Sequence, residues 1–201
     1  MMIIFCNTMN EMAAIVNYII FELGSALYSS PGNSILGIYH SNSWQSTNDK
    51  VIKSFKGNGT IRIVVATTAL CMGVNFPDVR YVINWGPART ILDQHQQAGR
   101  AGRDGILSHI VIIYHGQQAS PCEKEVKDFI RAEGCLRVSA YFSLDPEIKQ
   151  GSTQHDCCSY CAKECKCDGD MCNIEVIPFE KKKLNTIEVP KDKREVSAEV
   201  T

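Results

Sequence analysis

IRIVVATTALCMGVNFPDVRYVINWGPARTILDQHQQAGRAGRDG, residues 61–105, decides how this chain is read. It opens on a continuous apolar run, Ile61 to Ala66, which suits a central parallel strand buried on both faces. A second strand is predicted over Arg80–Asn84 and a helix over Thr90–Ala98. That helix leads into QQAGRAGRDG, residues 96–105, where Arg100 and Arg103 stand three apart among glycines. On a helix, that spacing puts two residues on one face. A forked guanidinium that keeps its proton suits the charge spread over a phosphoryl oxygen. Supplied from a neighbouring lobe, such a group is an arginine finger. Gly99 and Gly102 would let another backbone come close. The plainer reading of the same residues is a solvated, glycine-broken helix end.

Outward from this stretch, strands and helices alternate. Met2–Cys6 is a short apolar strand, and Thr8 with Glu11 forms a capping box for a helix over Met9–Leu23. Its apolar residues, among them Met12, Ile15, Val16 and Ile19, recur at helical spacing. Ser29–Ser34 contains Pro31, Gly32 and Asn33 and is a predicted loop. Ile35–Tyr39 is a strand; Ser46 or Thr47 caps a helix ending before Gly57, with Val51, Ile52 and Phe55 inward. Ser108–Tyr114 is the next strand, and a helix is predicted over Pro121–Ala132 with Pro121 in its first turn. Such alternation with short turns implies an α/β fold built on a parallel sheet.

Composition sets bounds. The chain has 201 residues, 44% apolar, with a formal net charge of −1. A packed core is expected, and any nucleic-acid contact must come from a local patch rather than an overall basic excess. No apolar run reaches the roughly 18 residues of a membrane span. The apolar start has no basic flank and carries Glu11, which argues against a secretory signal. Seven of the ten cysteines fall between Cys135 and Cys172, a clustering that points to metal rather than a disulfide framework. After Cys172 the sequence becomes mixed-charge and poor in aromatics, as expected of a disordered tail.

Residues 96–105 resemble motif VI of superfamily 2 helicases in the form carried by RecQ-like DNA helicases. IVVATTALCMGVNFPDVRYVINWG, from Ile63 to Gly86, resembles their motif V and the strand after it. GIYHSN, Gly37–Asn42, sits where that family has a strand followed by a Tyr-His pair. The resemblance covers roughly Ile3 to Cys161 and implies a RecA-like helicase C-terminal lobe over residues 1–119. A small helical zinc-binding subdomain would follow over 120–172, and then a tail over 173–201. It implies Arg103 as the main finger onto ATP with Arg100 beside it. It assigns Gln96, Gly99, Gly73 and Asn75 to the nucleotide side, and Thr67, Thr68 and His40 to DNA, although a lone histidine after a strand, such as His40, is more often structural. Hydroxyls and bare amides on such a turn suit backbone phosphates, although an ordinary strand-to-helix turn uses the same residues. Phe76 stands where many relatives have a lysine, and burial is its simplest role. Trp44 and Trp85 are read as core residues, with base stacking as the alternative.

The cysteine region gives Cys135, His155, Cys158 and Cys161 in the pattern Cys-x19-His-x2-Cys-x2-Cys. Mixed thiolate and imidazole ligands at such spacing suit tetrahedral zinc. RecQ-like helicases carry a four-cysteine zinc module directly after this lobe, and the resemblance maps its first ligand to Cys135 and its last two to Cys158 and Cys161. The second ligand is His155 here, with the adjacent Cys157 as substitute. Four protein ligands leave no open position, so the expected role is structural.

The sequence contains no G-x-x-x-x-G-K-[ST] and no Asp-Glu pair to hold Mg²⁺. In a helicase both sit on the first lobe. The leading expectation is therefore the C-terminal part of an ATP-dependent 3′–5′ DNA helicase of RecQ type, acting on single strands and duplex junctions. It would share ATP and Mg²⁺ with a first RecA-like lobe in cis or trans, and be inactive alone. The alternative is a non-catalytic module that binds DNA or a partner helicase, which would have no use for a finger. An RNA helicase lobe shares the arginine motif but not the zinc cluster. A DNA substrate implies the nucleus, or the cytoplasm of a prokaryote, and no membrane partner is expected.

Overall fold

The computed structural model describes residues 1–30, 33–57, 59–71, 76, 78–151 and 154–165. Its centre is a five-stranded sheet made of β1 (Met2–Cys6), β4 (Leu36–Tyr39), β5 (Ile63–Ala66), β6 (Tyr81–Trp85) and β7 (His109–Ile113). The strand order is β4-β5-β1-β6-β7, and every pairing is parallel. Ile3 lies between Val64 and Val82, and Ile4 between Val65 and Ile83. Alternation along the strands then divides the core in two. Ile3, Phe5, Val64, Ala66 and Val82 face Val51 and Phe55 of α2 (Gln45–Phe55), while Ile4, Cys6, Val65 and Ile83 face Met12, Ile15 and Val16 of α1 (Met9–Leu23). Both faces are apolar because both are covered, as a parallel sheet requires.

Phe76 belongs to the α2 face, fully buried and edge-on to Phe55 at 5.0 Å. Burying such a ring stabilises the fold by about 1.5–3 kcal/mol, which answers its departure from the family pattern. Helix α1 starts as predicted. The Thr8 hydroxyl accepts from Glu11 N, and Thr8 N donates back to the Glu11 carboxylate.

Four expectations need correction. Within Ser29–Ser34 a small antiparallel ladder forms, β2 (Tyr28–Ser30) against β3 (Asn33–Ser34). Strands this short leave no alternation to read. Neither Ser46 nor Thr47 caps α2. The helix begins at Gln45 after Trp44, whose carbonyl takes the amides of Thr47 and Asn48. The helix predicted over Pro121–Ala132 is shortened to α5 (Lys124–Ile130), and a separate single turn, α4 (Gly116–Ala119), precedes it. Glu123 N–H donates to Arg89 O and Cys122 N–H to Ala119 O, drawing the intervening residues into a turn. Trp44 and Trp85 are not core residues, being 83% and 38% exposed.

Beyond the sheet, α3 (Ile91–Ala98) packs on α5, where Ile91, Cys122 and Val126 form a third small core. Helices α6 (Leu136–Tyr141), α7 (Gln154–Cys157) and α8 (Ser159–Glu164) complete the described chain.

Candidate functional site

The arginine segment is built from β6 and α3. Thr90 caps α3 by accepting from Asp93 N at 3.0 Å. One helix face, Ile91, Gln94 and Gln97, is turned inward. The two glutamines meet Asn84 of β6, which is 0% exposed. Asn84 Nδ2 donates to Gln97 Oε1, Gln94 Nε2 lies 3.4 Å from Asn84 Oδ1, and Ala88 N donates to Gln94 Oε1 at 3.1 Å. Three buried amides thus fix α3 on the sheet without a charge. Two glutamines three residues apart on an otherwise apolar helix face were the sequence signal for this network, which the motif reading passed over.

After α3 the chain returns to the amino end of β6. Gly102, at φ +63°, donates its N–H to Val79 O at 3.1 Å. A Cβ there would lie 3.1 Å from Ser108 Oγ. Asp104 takes both Nη atoms of Arg80, at 3.1 and 2.6 Å. This hydrogen-bonded pairing holds the Asp104 carboxyl below its usual range. Between these anchors Arg100 is nearly buried, 8% exposed, whereas Arg103 is exposed and its Nε donates to Gly99 O at 2.9 Å. Gln96 and Gly99 are exposed on the same helix end.

The residues assigned to DNA sit at the carboxyl ends of the strands. Thr67 follows β5, and its N–H donates to Tyr39 O at the end of β4, so the Thr67–Thr68 turn and the His40 loop adjoin. The 3₁₀ turn Thr68–Cys71 packs against α3, joining this edge to the arginine helix. Gly73 and Asn75 lie outside the described residues. The His40 ring turns inward. Its Nε2 lies 2.9 Å from Ser43 Oγ, its Nδ1 is buried, and its carbonyl accepts from Asn48 Nδ2. Trp44, next along this loop, is the exposed ring.

A second group at the carboxyl edge escaped the sequence reading. β1 and β6 are neighbours whose onward connections leave in opposite directions along the sheet, the place where such folds hold ligands. A cavity of about 230 Å³ opens there, lined by residues including Asn7, Thr8, Glu11, Arg89 and His115. Asn7 Nδ2 donates to Pro87 O, and Gln118 Nε2 to Glu11 Oε1. The signal was the CNT sequence at residues 6–8, read only as a strand end and a cap.

The cysteine cluster is compact. The Sγ atoms of Cys135, Cys157, Cys158 and Cys161 all lie within 4.8 Å of one another. A zinc tetrahedron with bonds of about 2.3 Å needs sulfurs about 3.8 Å apart, and Cys135 and Cys157 are 3.6 Å apart. All four are free thiols. Burial pushes the Cys157 and Cys161 thiols up. Burial opposes ionisation of Cys158 too, but amide N–H donors from Cys161 and Leu136 outweigh it and bring its pKa down to about 7. The donor set fits zinc. Cys157 is the fourth thiol of this set; His155, the fourth donor of the sequence pattern, lies in α7 with its side chain outside the described residues.

The family model described as "Helicase conserved C-terminal domain" matches residues 1–105, more than half of the chain. The chain belongs to this helicase C-terminal domain family. Its relatives in sequence include the RecQ-like DNA helicase BLM of Xenopus laevis, 37% identical over 76 residues, or 38% of this chain and 6% of that protein. Another is a protein of Acanthamoeba polyphaga mimivirus provisionally named an ATP-dependent RNA helicase, 43% identical over 83 residues, or 41% of this chain and 15% of that protein. The chain therefore spans only a small part of either. In fold it resembles the helicase Lhr of Mycobacterium smegmatis, solved with single-stranded DNA and AMP-PNP, at a TM-score of 0.50 and 21% identity over 60% of this chain and 16% of that one. The helicase C-terminal lobe, RecQ-like in sequence, thus has its RecA-like parallel sheet. Among the described residues no helix is long and apolar enough to cross a membrane.

Proposed function

We propose that this lobe is the C-terminal part of a RecQ-type, ATP-dependent 3′–5′ DNA helicase. The observation that carries the reading is the held, exposed Arg103 at the end of a helix locked to the sheet by Asn84, Gln94 and Gln97. An arginine finger needs this kind of preorganisation, because it must meet charge that develops only as phosphoryl transfer proceeds. In this reading ATP and Mg²⁺ are held mainly by a first RecA-like lobe, and Arg103 reaches them across the cleft. Gln96, Gly99, Gly73 and Asn75 lie on the nucleotide side. Thr67, Thr68 and the Asn7–Thr8–Arg89 cavity give hydroxyl, amide and guanidinium donors to a strand's phosphates. Trp44 offers a ring for a base. His40 acts through Ser43 and Asn48 to hold that loop. Zinc at Cys135, Cys157, Cys158 and Cys161 ties the following helices together. The protein would work in the nucleus, or in the cytoplasm of a prokaryote.

RNA is the second reading, favoured by the name of the mimiviral relative. The cysteine cluster after the lobe favours DNA. The test is ATP hydrolysis by the intact two-lobed protein with single-stranded DNA or RNA, alongside Arg103→Ala. Turnover stimulated by DNA and lost on the order of 10³–10⁵-fold in the variant, with DNA binding spared, is expected. Unchanged turnover in Arg103→Ala would sink the finger, and stimulation by RNA alone would replace the substrate.

A further inference from the structure

The helix that leads into the arginines is also the helix that touches the cysteine module. His95 lies on α3, five residues before Arg100. Its Nε2 donates to Ala140 O at 3.0 Å, and its ring stacks on Tyr141 at 4.2 Å with 27° between planes. Arg137 lies over the other partner of that stack, 5.9 Å from the Tyr141 centroid. Ala140 and Tyr141 end α6, and α6 begins beside the cluster. Cys135 is its N-cap, and the Leu136 amide donates to Cys158 Sγ at 3.3 Å.

On the other side of His95 the path continues through main chain. The His95 carbonyl accepts the Gly99 N–H at 2.8 Å, and the Gly99 carbonyl accepts Arg103 Nε at 2.9 Å. From cluster to guanidinium, the path runs along one short helix, one ring stack and four hydrogen bonds. Short packed elements of this kind transmit displacement because they do not deform continuously.

We propose that His95 and Tyr141 form a joint through which metal bound by the cysteines holds the Gly99–Arg103 segment in place. This rests on the reading of the cluster as a zinc site and of Arg103 as the finger. His95 and Tyr141 are positioning residues. With zinc bound, α6 is anchored at its first turn, and Ala140 O presents a fixed acceptor to His95. Without zinc, α6 loses that anchor and the His95 contact is sampled intermittently. The helix end then frays at Gly99, where no side chain resists it.

The test uses the purified 201-residue chain. Elemental analysis reports the metal, and amide hydrogen exchange at Gly99 and Arg100 reports the arginine segment. In the wild type, chelation should speed exchange at these amides about tenfold, as expected for losing roughly one hydrogen bond and one ring stack. His95→Ala should keep its zinc yet exchange fast with the metal in place, and chelation should add nothing further there. Tyr141→Ala should match it, and Tyr141→Phe, which keeps the ring, should restore wild-type behaviour. Zinc-loaded wild type whose Gly99 and Arg100 amides ignore chelation would overturn the joint and leave the zinc reading standing. A wild-type chain that takes up no zinc would overturn both. Exchange that behaves as expected, with an Arg103→Ala two-lobed protein that still turns over ATP, would support the joint and refute the finger.

Discussion

Replacing Gln97 by Ala isolates the amide network that sets the pose of α3. Gln97 is 2% exposed and Asn84 is 0% exposed, so the change leaves Asn84 Nδ2 buried without its acceptor. An unsatisfied buried donor costs about 1–3 kcal/mol. The lost methylene adds about 0.8 kcal/mol, before any cavity term. The sum, about 2–4 kcal/mol, is a large share of a domain's usual 5–15 kcal/mol or so. With a urea m-value of about 2 kcal/mol/M, the unfolding midpoint should fall by about 1–2 M. Urea unfolding followed by far-UV circular dichroism measures it. The companion variants Asn84→Leu and Asn84→Leu/Gln97→Ala close a double-mutant cycle, and a coupling of at least about 1 kcal/mol is expected for neighbours in one network. A loss below about 0.5 kcal/mol in Gln97→Ala, or no coupling in the cycle, would refute the claim that these amides lock α3 to β6.

Three further outcomes follow from the geometry. Trp44→Ala should weaken single-strand binding by the intact protein about 5–150-fold, the equivalent of about 1–3 kcal/mol of lost base stacking, as read by fluorescence anisotropy; unchanged affinity would remove Trp44 from the interface. Cys161→Ser and Cys157→Ser should each abolish zinc uptake while His155→Ala retains it, as measured by elemental analysis. The reverse order for positions 155 and 157 would return the fourth ligand to histidine. The Asp104 carboxyl sits below its usual value of 3.8 because Arg80 donates to it, so its pairing contributes fully above that value and is lost as pH falls through the lowered one. The stability difference between wild type and Asp104→Asn should therefore be present at pH 5–7, shrink below about pH 4 and weaken with salt. A difference that grows on acidification would contradict the pairing.

The sheet was legible because its strands are short apolar runs in a pattern that alternates with helices, and the β1, α1, α3 and β7 regions fall close to their predicted spans. What escaped the sequence had a physical cause in each case. Trp44 is apolar, so composition assigns it to a core, but the N-terminus of α2 leaves it no surface to cover. Pro121 is a good first-turn residue, yet the bond from Glu123 N to Arg89 O, between residues far apart in sequence, outweighs local preference. The meeting of Asn84 with Gln94 and Gln97, and that of His95 with Tyr141, depend on how helices land on the sheet, which no spacing along the chain encodes. That cysteines gather after residue 135 was legible in the sequence; which sulfurs approach one another was not. Ligand spacing favours position 155, and only the fold brings the Sγ of Cys157 to within 3.6 Å of Cys135.

The two arginines of the motif have different environments, and that difference predicts different losses. Arg100 is almost wholly buried, at 8% exposure, and its neighbour Ala101 packs against the core that includes Leu70, Phe76 and Val79. Arg103 is exposed, with Nε tethered to Gly99 O so that its planar fork is held in one orientation at the surface. Arg100→Ala should then destabilise the lobe by about 1–3 kcal/mol through lost packing, on urea unfolding. Arg103→Ala should leave the urea midpoint within about 0.5 kcal/mol of wild type, as surface changes usually do, and still abolish turnover in the two-lobed protein. Arg103→Lys separates charge from shape. It keeps the positive charge but loses both the fork and the Nε tether, so its turnover should stay near that of the alanine variant. If Arg103→Ala proved as destabilising as Arg100→Ala, Arg103 would be part of the lobe's framework. The group presented to a phosphate would then have to be sought elsewhere, with the exposed carboxamide of Gln96 on α3 one candidate donor.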